Sequence, residues 1–335
     1  MRRSRRSWRR TRAGSRWIRS TGSVSKTKPV ANLAGDRIRV LITGGCGFVG
    51  SQVAREAAAR GQDVTTADLN HTRSDVDLDI RDAALVDGAV HGHDVVVHCA
   101  AVVGPGPARE NSGLAVDVNI HGTANVLEAA RRHGACVVYL STATLYGMRP
   151  DLKPLHETDP PSPVSHYDAT KYAAEVICRS YRSDFDVDVI CIRTGFVYGP
   201  GHSTGEYFVE PATRGEAVRV ETGGDGPCDF TYVKDLAKGL VSAAERSDLP
   251  APVYNVTGGV HRTRSEFAQA VRNPLPDADI EIGPGIDPAM HLRGPCIPDL
   301  AKRDFGYVPA FTIEEGIRDW VNEVLPTASR GRKEI

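Results

Sequence analysis

After residue 36, short apolar runs alternate with longer stretches of helical character. Residues 37–43 (R-I-R-V-L-I-T) predict a buried strand, and the alanine-rich stretch 48–60 predicts a helix that Gly61 ends. Further strands are expected at 63–69, 94–101, 136–142 and 188–194, with helices at 113–133 and 167–183. These strands are apolar almost throughout rather than alternating, as in a parallel sheet covered on both faces. The expected fold class is therefore α/β, a Rossmann-type doubly wound parallel sheet. Beyond Gly199-Pro200, glycine and proline become frequent, and helices at 236–246 and 313–324 stand between irregular segments. That texture predicts a small C-terminal substrate-binding lobe interleaved with the last sheet elements. The organisation expected is a basic arm over 1–34, a Rossmann domain over 35–199, the lobe over 200–325 and a tail over 326–335.

Charge separates the arm from the rest. The formal net charge of −1 conceals nine Arg, two Lys and no acid in residues 1–30, which leaves 30 basic against 42 acidic residues beyond. An acidic body argues against nucleic acid as its main partner, since phosphate recognition needs a basic face. The arginine pairs of the arm resemble a twin-arginine export signal, but residues 21–29 are rich in Ser, Thr and Lys where an apolar stretch belongs. Three readings stay open for the arm: an unstructured tail or misplaced start, a tether to an anionic surface, and an unusual targeting signal. The seven cysteines are scattered, odd in number and without a C-x-x-C pair. They predict reduced thiols in a cytoplasmic protein, with neither a disulfide framework nor a metal site. His98 beside Cys99 gives no metal signal, because adjacent strand residues face opposite ways. No apolar run approaches the ~18 residues that span a bilayer, so no membrane partner is expected.

Residues 43–50 (T-G-G-C-G-F-V-G) lie between the first strand and the first helix. Gly44, Gly47 and Gly50 allow a tight turn and close approach of backbone to a pyrophosphate, which then meets the helix N-terminus. Asp68 closes the next strand, placed to accept hydrogen bonds from a ribose and to repel a 2′-phosphate. NAD rather than NADP is the expected cofactor, with Arg73 as the competing feature.

A second constellation follows. Tyr167 and Lys171 in Y-D-A-T-K are one helical turn apart on one face. A free phenol titrates near pH 10, and a neighbouring cation favours its ionised form. Upstream, Y-L-S-T-A-T-L-Y-G at 139–147 brings hydroxyls to the C-terminal end of a strand, where open α/β sheets bind ligands.

Taken in order, these motifs resemble the extended short-chain dehydrogenases/reductases, the NAD-dependent epimerase/dehydratase group, over about residues 36–325. Besides the segments above, the resemblance rests on D-I-R-D at 79–82, H-C-A-A at 98–101 and N-I-H-G-T-A-N-V-L-E-A at 119–129. It continues in R-T-G-F-V-Y-G-P-G at 193–201, D-F-T-Y-V-K-D at 229–235 and Y-N-V at 254–256. It implies that Gly44, Gly47, Phe48, Val49 and Gly50 form the pyrophosphate turn and that Asp68 holds the ribose. It further implies that Asp79 and Ile80 flank the adenine, that Ala100 and Ala101 line the cofactor, and that Asn119 stands behind the active site. Thr142 matches the family's Ser/Thr, Tyr167 its acid–base, and Lys171 the residue that holds the nicotinamide ribose. Expected partners are a carbohydrate-type small molecule and, as in many members, a second copy of the chain.

The departures bear on substrate. Ala143 and Thr144 follow Thr142, so the carboxylates that dehydratases and decarboxylating members carry there are missing. Phe196 stands where epimerases usually have Asn, and Cys228 where they have Arg, which removes two contacts to a nucleotide diphosphate. The expected substrate is thus a smaller sugar or sugar acid, oxidised, reduced or epimerised at a secondary alcohol; a nucleotide-sugar 4-epimerase is the alternative, with Arg193, Arg214, Arg219 or Arg293 as substitute cations. A sensor that binds NAD without chemistry is the reading of another class, and the Thr142–Tyr167–Lys171 set argues against it.

Overall fold

The computed structural model describes residues 37–201, 208–246, 248–287 and 292–331. The basic arm lies outside them. The large domain opens with β1 (Arg39–Thr43), α1 (Phe48–Ala59), β2 (Asp63–Asp68), β3 (Val76–Asp77), α2 (Ala83–Val90) and β4 (Val95–His98). Next come two short helices, α3 (Pro105–Glu110) and α4 (Ser112–Val116), then a π-helical turn (Asp117–Gly122) that runs into α5 (Thr123–His133). Strand β5 (Cys136–Leu140) leads through a 3₁₀ turn (Ala143–Tyr146) to α6 (His166–Phe185) and β6 (Val189–Arg193).

The chain then crosses between lobes. β7 (Phe196–Tyr198), α7 (Val209–Thr213), β8 (Val218–Val220) and β9 (Pro227–Tyr232) precede α8 (Val233–Ala244) and β10 (Val253–Asn255). The remaining elements are β11 (His261–Thr263), α9 (Arg264–Arg272), β12 (Ile280–Ile282), α10 (Asp299–Phe305) and α11 (Ile313–Gly331). Seven strands form one sheet in the order β10-β6-β5-β4-β1-β2-β3, with every pairing parallel. The order reverses between β1 and β4, which opens a crevice at their C-terminal ends. The lobe holds a three-stranded sheet, β11-β9-β7, and a two-stranded one, β12-β8.

Both faces of the large sheet are apolar, as the near-continuous runs require. Val40, Ile42, Val95, Val97, Val138, Ile190 and Ile192 point to the core that α8 and α10 complete. Leu41, Val96, Val137, Val189 and Cys191 point to the opposite core, which residues of α2, α5 and α6 complete. The lobe packs its own aromatic centre around Tyr198, Phe230, Phe267 and Trp320.

The segments of the two lobes interleave across residue 199. β10 from the later segment is an edge strand of the large sheet, while β7 from the earlier one pairs with β9 in the lobe. The helix expected over 113–133 is interrupted by the π-helical turn, and α11 continues to Gly331 through much of the expected tail.

One ion pair crosses the interior. Arg193 at the end of β6 donates to both carboxylate oxygens of Glu175 on α6, at 3.1 and 2.5 Å, and both side chains are almost wholly buried. Ser141, just past β5, donates to the same carboxylate at 3.1 Å. Desolvating two charges is costly, and removing one leaves the other stranded. Glu175→Leu alone should therefore lose about 3–5 kcal/mol in urea denaturation, and adding Arg193→Met should recover most of it. A single leucine variant as stable as the native chain would contradict this account of the pair.

Candidate active site

The parallel strands deliver their C-terminal ends to one edge of the sheet, and the expected site residues cluster there. After β1 the chain turns through Gly44 at φ +69°, a left-handed conformation that favours glycine. A Cβ on Gly50 would lie 2.1 Å from the Gly44 carbonyl oxygen, so the first turn of α1 presses directly on the glycine turn. Gly47 N donates to that oxygen at 3.0 Å. No side chain caps the N-terminus of α1, which begins at Phe48 and Val49. A helix start leaves backbone N–H groups without intrahelical partners, and the positive end of its dipole attracts anions. Tight glycine packing and an uncapped helix start together fit a dinucleotide pyrophosphate.

Asp68, at the end of β2, is more than a solvated acid. Its Oδ2 accepts from Cys46 N at 3.0 Å and its Oδ1 from Asn70 N at 3.2 Å, so the carboxylate braces the glycine turn from the neighbouring strand. An ionised carboxylate still has acceptor sites for ribose hydroxyls. Asp79 pairs with Arg81 at 2.5 Å, which holds its carboxyl below the usual range. Ile80 is buried, and a Cβ on Gly122 would lie 2.6 Å from its Cδ1. Its side chain therefore belongs to the core beneath the π-helical turn.

Ala100 and Ala101 follow β4 and are half-buried. The backbone nitrogen of Ala100 would meet a Cβ on Gly44 at 2.7 Å, so this loop backs the glycine turn. Asn119 fastens the same loop. Its Oδ1 accepts from Val102 N at 2.8 Å, while Nδ2 donates to Val102 O at 3.1 Å and to Thr170 Oγ1 at 3.0 Å. The amide thus links the loop after β4 to α6, and it does so from the π-helical turn, a distortion frequent at functional sites. His98 stitches the two sides further, with Nδ1 2.6 Å from Thr43 Oγ1 and Nε2 3.1 Å from Thr123 Oγ1. Burial and the nearby Lys171 charge pull it down to about 3, so it is a neutral structural residue.

Helix α6 carries the expected Tyr167 and Lys171. A capping box opens it: Ser165 accepts from Asp168 N while Asp168 accepts from Ser165 N. Tyr167 is buried against Ala108, Ala115 and Val102. Burial, and after it the Asp168 charge, raise its phenol above the ordinary range. Lys171 Nζ donates to Leu140 O at 2.8 Å and lies 4.2 Å from the centroid of the Tyr139 ring. Burial pulls that ammonium down to about 8. Thr142 caps the 3₁₀ turn after β5, its Oγ1 accepting from Thr144 N at 3.2 Å and lying 3.0 Å from Thr144 Oγ1.

Two features escaped the sequence reading. Thr144 Oγ1 donates to Asp168 Oδ1 at 2.5 Å, so a buried carboxylate does reach the position where the sequence lacks an acid. The signal was present in Asp168, one residue past Tyr167. The second concerns the missing arginine. Burial raises the Cys228 thiol to about 11, while the charges of Arg264 and Arg293 oppose the shift. Arg293 also faces Asp229, which burial pushes up to about 6 and which accepts from Cys296 N at 2.9 Å and Gly259 N at 3.2 Å. Arg264 has Asp287 3.5 Å away as a counter-charge. Of the other expected substitutes, Arg193 is engaged by Glu175, Arg214 by Glu216 and Arg219 by Asp279. Phe196 turns its ring edge-on to Phe230 at 5.9 Å, at the margin of the lobe's aromatic centre.

Known proteins share this plan. UDP-glucuronic acid decarboxylase 1 of Danio rerio is 30% identical over 302 residues, 84% of this chain and 71% of that protein. The low-salt glycan biosynthesis protein Agl12 of Haloferax volcanii is 29% identical over 85% of this chain and 98% of its own. The UDP-glucose 4-epimerase of Thermus thermophilus, solved in complex with NAD, superposes with a TM-score of 0.76 at 29% identity, covering 89% of this chain and all of that one. Residues 40–257, from the first strand to the end of the large sheet, match the NAD dependent epimerase/dehydratase family. The glycine turn, the Tyr167–Lys171 helix and this match lead to one conclusion: the chain belongs to the NAD-dependent epimerase/dehydratase family, enzymes of the extended short-chain dehydrogenase/reductase type that use NAD.

Proposed function

We propose that the chain epimerises a nucleotide sugar at a secondary alcohol, through a transient ketone and with NAD retained. The support for the substrate class is that the charges of Arg264 and Arg293 act on the Cys228 thiol, where an epimerase arginine is missing. The Arg293 charge also acts on Asp229, whose carbonyl packs against Gly195 just past β6. This reading takes the nucleotide sugar, the expected alternative, in place of the smaller sugar.

Gly44, Gly47, Phe48, Val49 and Gly50 hold the pyrophosphate, Asp68 the adenosine ribose, and Asp79 with the Ile80 backbone borders the adenine. Ala100 and Ala101 form the wall of the cofactor groove, and Asn119 positions that wall rather than offering its amide to the ligand. NAD, when bound, accepts and returns the hydrogen and electron pair of the substrate carbon. Tyr167 bears the proton at the reacting oxygen, Thr142 hydrogen-bonds the same oxygen, and Lys171 holds the nicotinamide ribose. A cytoplasmic homodimer completes the reading, supported by Val176 and Phe185, exposed apolar residues on α6.

Three outcomes are expected. Tyr167→Phe should lower turnover by about 100-fold or more while NAD affinity stays within about twofold, because only the proton-bearing oxygen is lost. A phenylalanine variant with native turnover would remove Tyr167 from the chemistry.

Asp68→Ala should admit NADPH, measured by fluorescence titration beside NADH, since repulsion of the 2′-phosphate disappears. A native chain that already prefers NADPH would transfer the role to Arg73.

Calorimetry of the NAD-loaded chain with UDP tests the substrate class. Each charge-assisted contact to a phosphate is worth about 1.5–3 kcal/mol, so Arg264→Ala and Arg293→Ala should each weaken UDP by about tenfold or more. Absence of UDP binding to the native chain would restore the smaller sugar.

A further inference from the structure

The parallel register sets Thr43, His98, Tyr139 and Cys191 side by side across β1, β4, β5 and β6. Register partners share a face, and Tyr139 and Cys191 lie on the one that α6 covers. Lys171 reaches from α6 into this floor. Its side chain and that of Tyr139 are almost wholly buried. Nζ donates to Leu140 O at 2.8 Å and stands 4.2 Å from the centre of the Tyr139 ring. Taking an ammonium out of water is costly unless partners compensate it. The two groups that meet Nζ, a carbonyl and a ring face, carry no formal charge.

The titratable groups around it do not supply a free one. His98, bonded to Thr43 and Thr123, is neutral. Burial drives the Cys99 thiol up to about 12 and the Cys191 thiol well above its ordinary value, so both stay protonated. Cys178 on α6 is a buried free thiol. Glu175, one turn on along α6, accepts from Arg193 and Ser141. Tyr167, one turn back, is a phenol that burial and the Asp168 charge hold above its ordinary range. A ring face, by contrast, is the negative side of a quadrupole, and it attracts an ammonium within about 6 Å of its centre, more so where water is excluded. The Tyr139 hydroxyl is buried without a hydrogen-bond partner among the described residues, so the residue contributes its ring alone.

We propose that the Tyr139 ring is the seat that keeps Lys171 an ammonium inside the fold. Its use in the reaction rests on the assignment of Lys171 to the nicotinamide ribose, whereas the seat is a property of the chain itself. An ammonium has three N–H donors. Leu140 O takes one and the ring face a second, which leaves the third for a ribose hydroxyl. Tyr139 acts only through Lys171 and is a positioning residue. Burial pulls Lys171 down to about 8, so its charge is lost only a little above neutral pH. Without the ring the ammonium would deprotonate at lower pH, and Tyr167 would lose the cation that favours its ionised form.

NMR of the full chain, labelled with carbon-13 at the lysine ε positions, reads the titration of Lys171 directly, and Lys171→Met assigns its signal. The native ammonium should titrate near pH 8. Tyr139→Leu should move that titration down by about one pH unit or more. Tyr139→Phe, which keeps the ring, should restore it, with the melting temperature no lower than native because only an unpaired hydroxyl is lost. Partly and then fully fluorinated phenylalanine at position 139 keeps the shape while withdrawing electron density from the face, and should lower the titration in two steps. That series decides the matter even where leucine disturbs the packing. An unchanged titration across the fluorinated series, or failure of Tyr139→Phe to restore it, overturns the inference. NADH affinity, followed by fluorescence against pH, should weaken as Lys171 deprotonates, and from a lower pH in the leucine variant. Affinity that ignores the Lys171 titration would remove Lys171 from the ribose, while the NMR titration still decides the seat.

Discussion

The site depends on one stripe of helix α6. Tyr167, Lys171 and Glu175 recur at four-residue spacing, so they share a face, and Glu175 is the anchor of that face. Its buried pair with Arg193, joined by Ser141, bolts the helix to the ends of β5 and β6. Ser141 is the neighbour of Thr142. The interaction that locates the tyrosine therefore also locates the threonine, and both are set by a charge pair that water does not reach. Such pairs add little net stability, but they tolerate few alternative geometries, which is what a site built from two elements needs.

The cofactor edge is built from comparably small contacts. Gly44 and Gly50 let backbone meet backbone, Asp68 braces the turn from β2, and Asn119 ties the loop after β4 to Thr170 on α6. Thr170 lies between Tyr167 and Lys171 in sequence. A shift of the loop after β4 would thus be felt at α6 through a single amide. The lobe contributes charge: Arg264 and Arg293, from segments far from Cys228 in sequence, both act on its thiol.

How much of this was legible in the sequence follows from the range of each interaction. Strand runs, the glycine turn, the Tyr167–Lys171 spacing and the C-terminal ends of strands are local patterns, and they appear in the fold where the sequence puts them. The lobe boundary was blurred because β7 and β10 exchange places between sheets, which no local pattern records. Arg193 as partner of Glu175, Thr144 of Asp168 and Val102 of Asn119 were hidden because each lies 17 or more residues away. The change at 228 is visible in the sequence, whereas the Arg264 and Arg293 charges that act on the Cys228 thiol come from α9 and the segment after residue 291.

The central claim is that a hydride leaves the sugar and returns to the same carbon inside a closed site. The most direct measurement follows the label of UDP-glucose deuterated at C4, the carbon named for the Thermus relative, by proton and deuterium NMR with the NAD-loaded chain. The account predicts the C4 epimer with deuterium retained at that carbon and no hydrogen taken from the solvent. Loss of the label to water, or accumulation of a reduced cofactor and a free ketone without epimer, would contradict it.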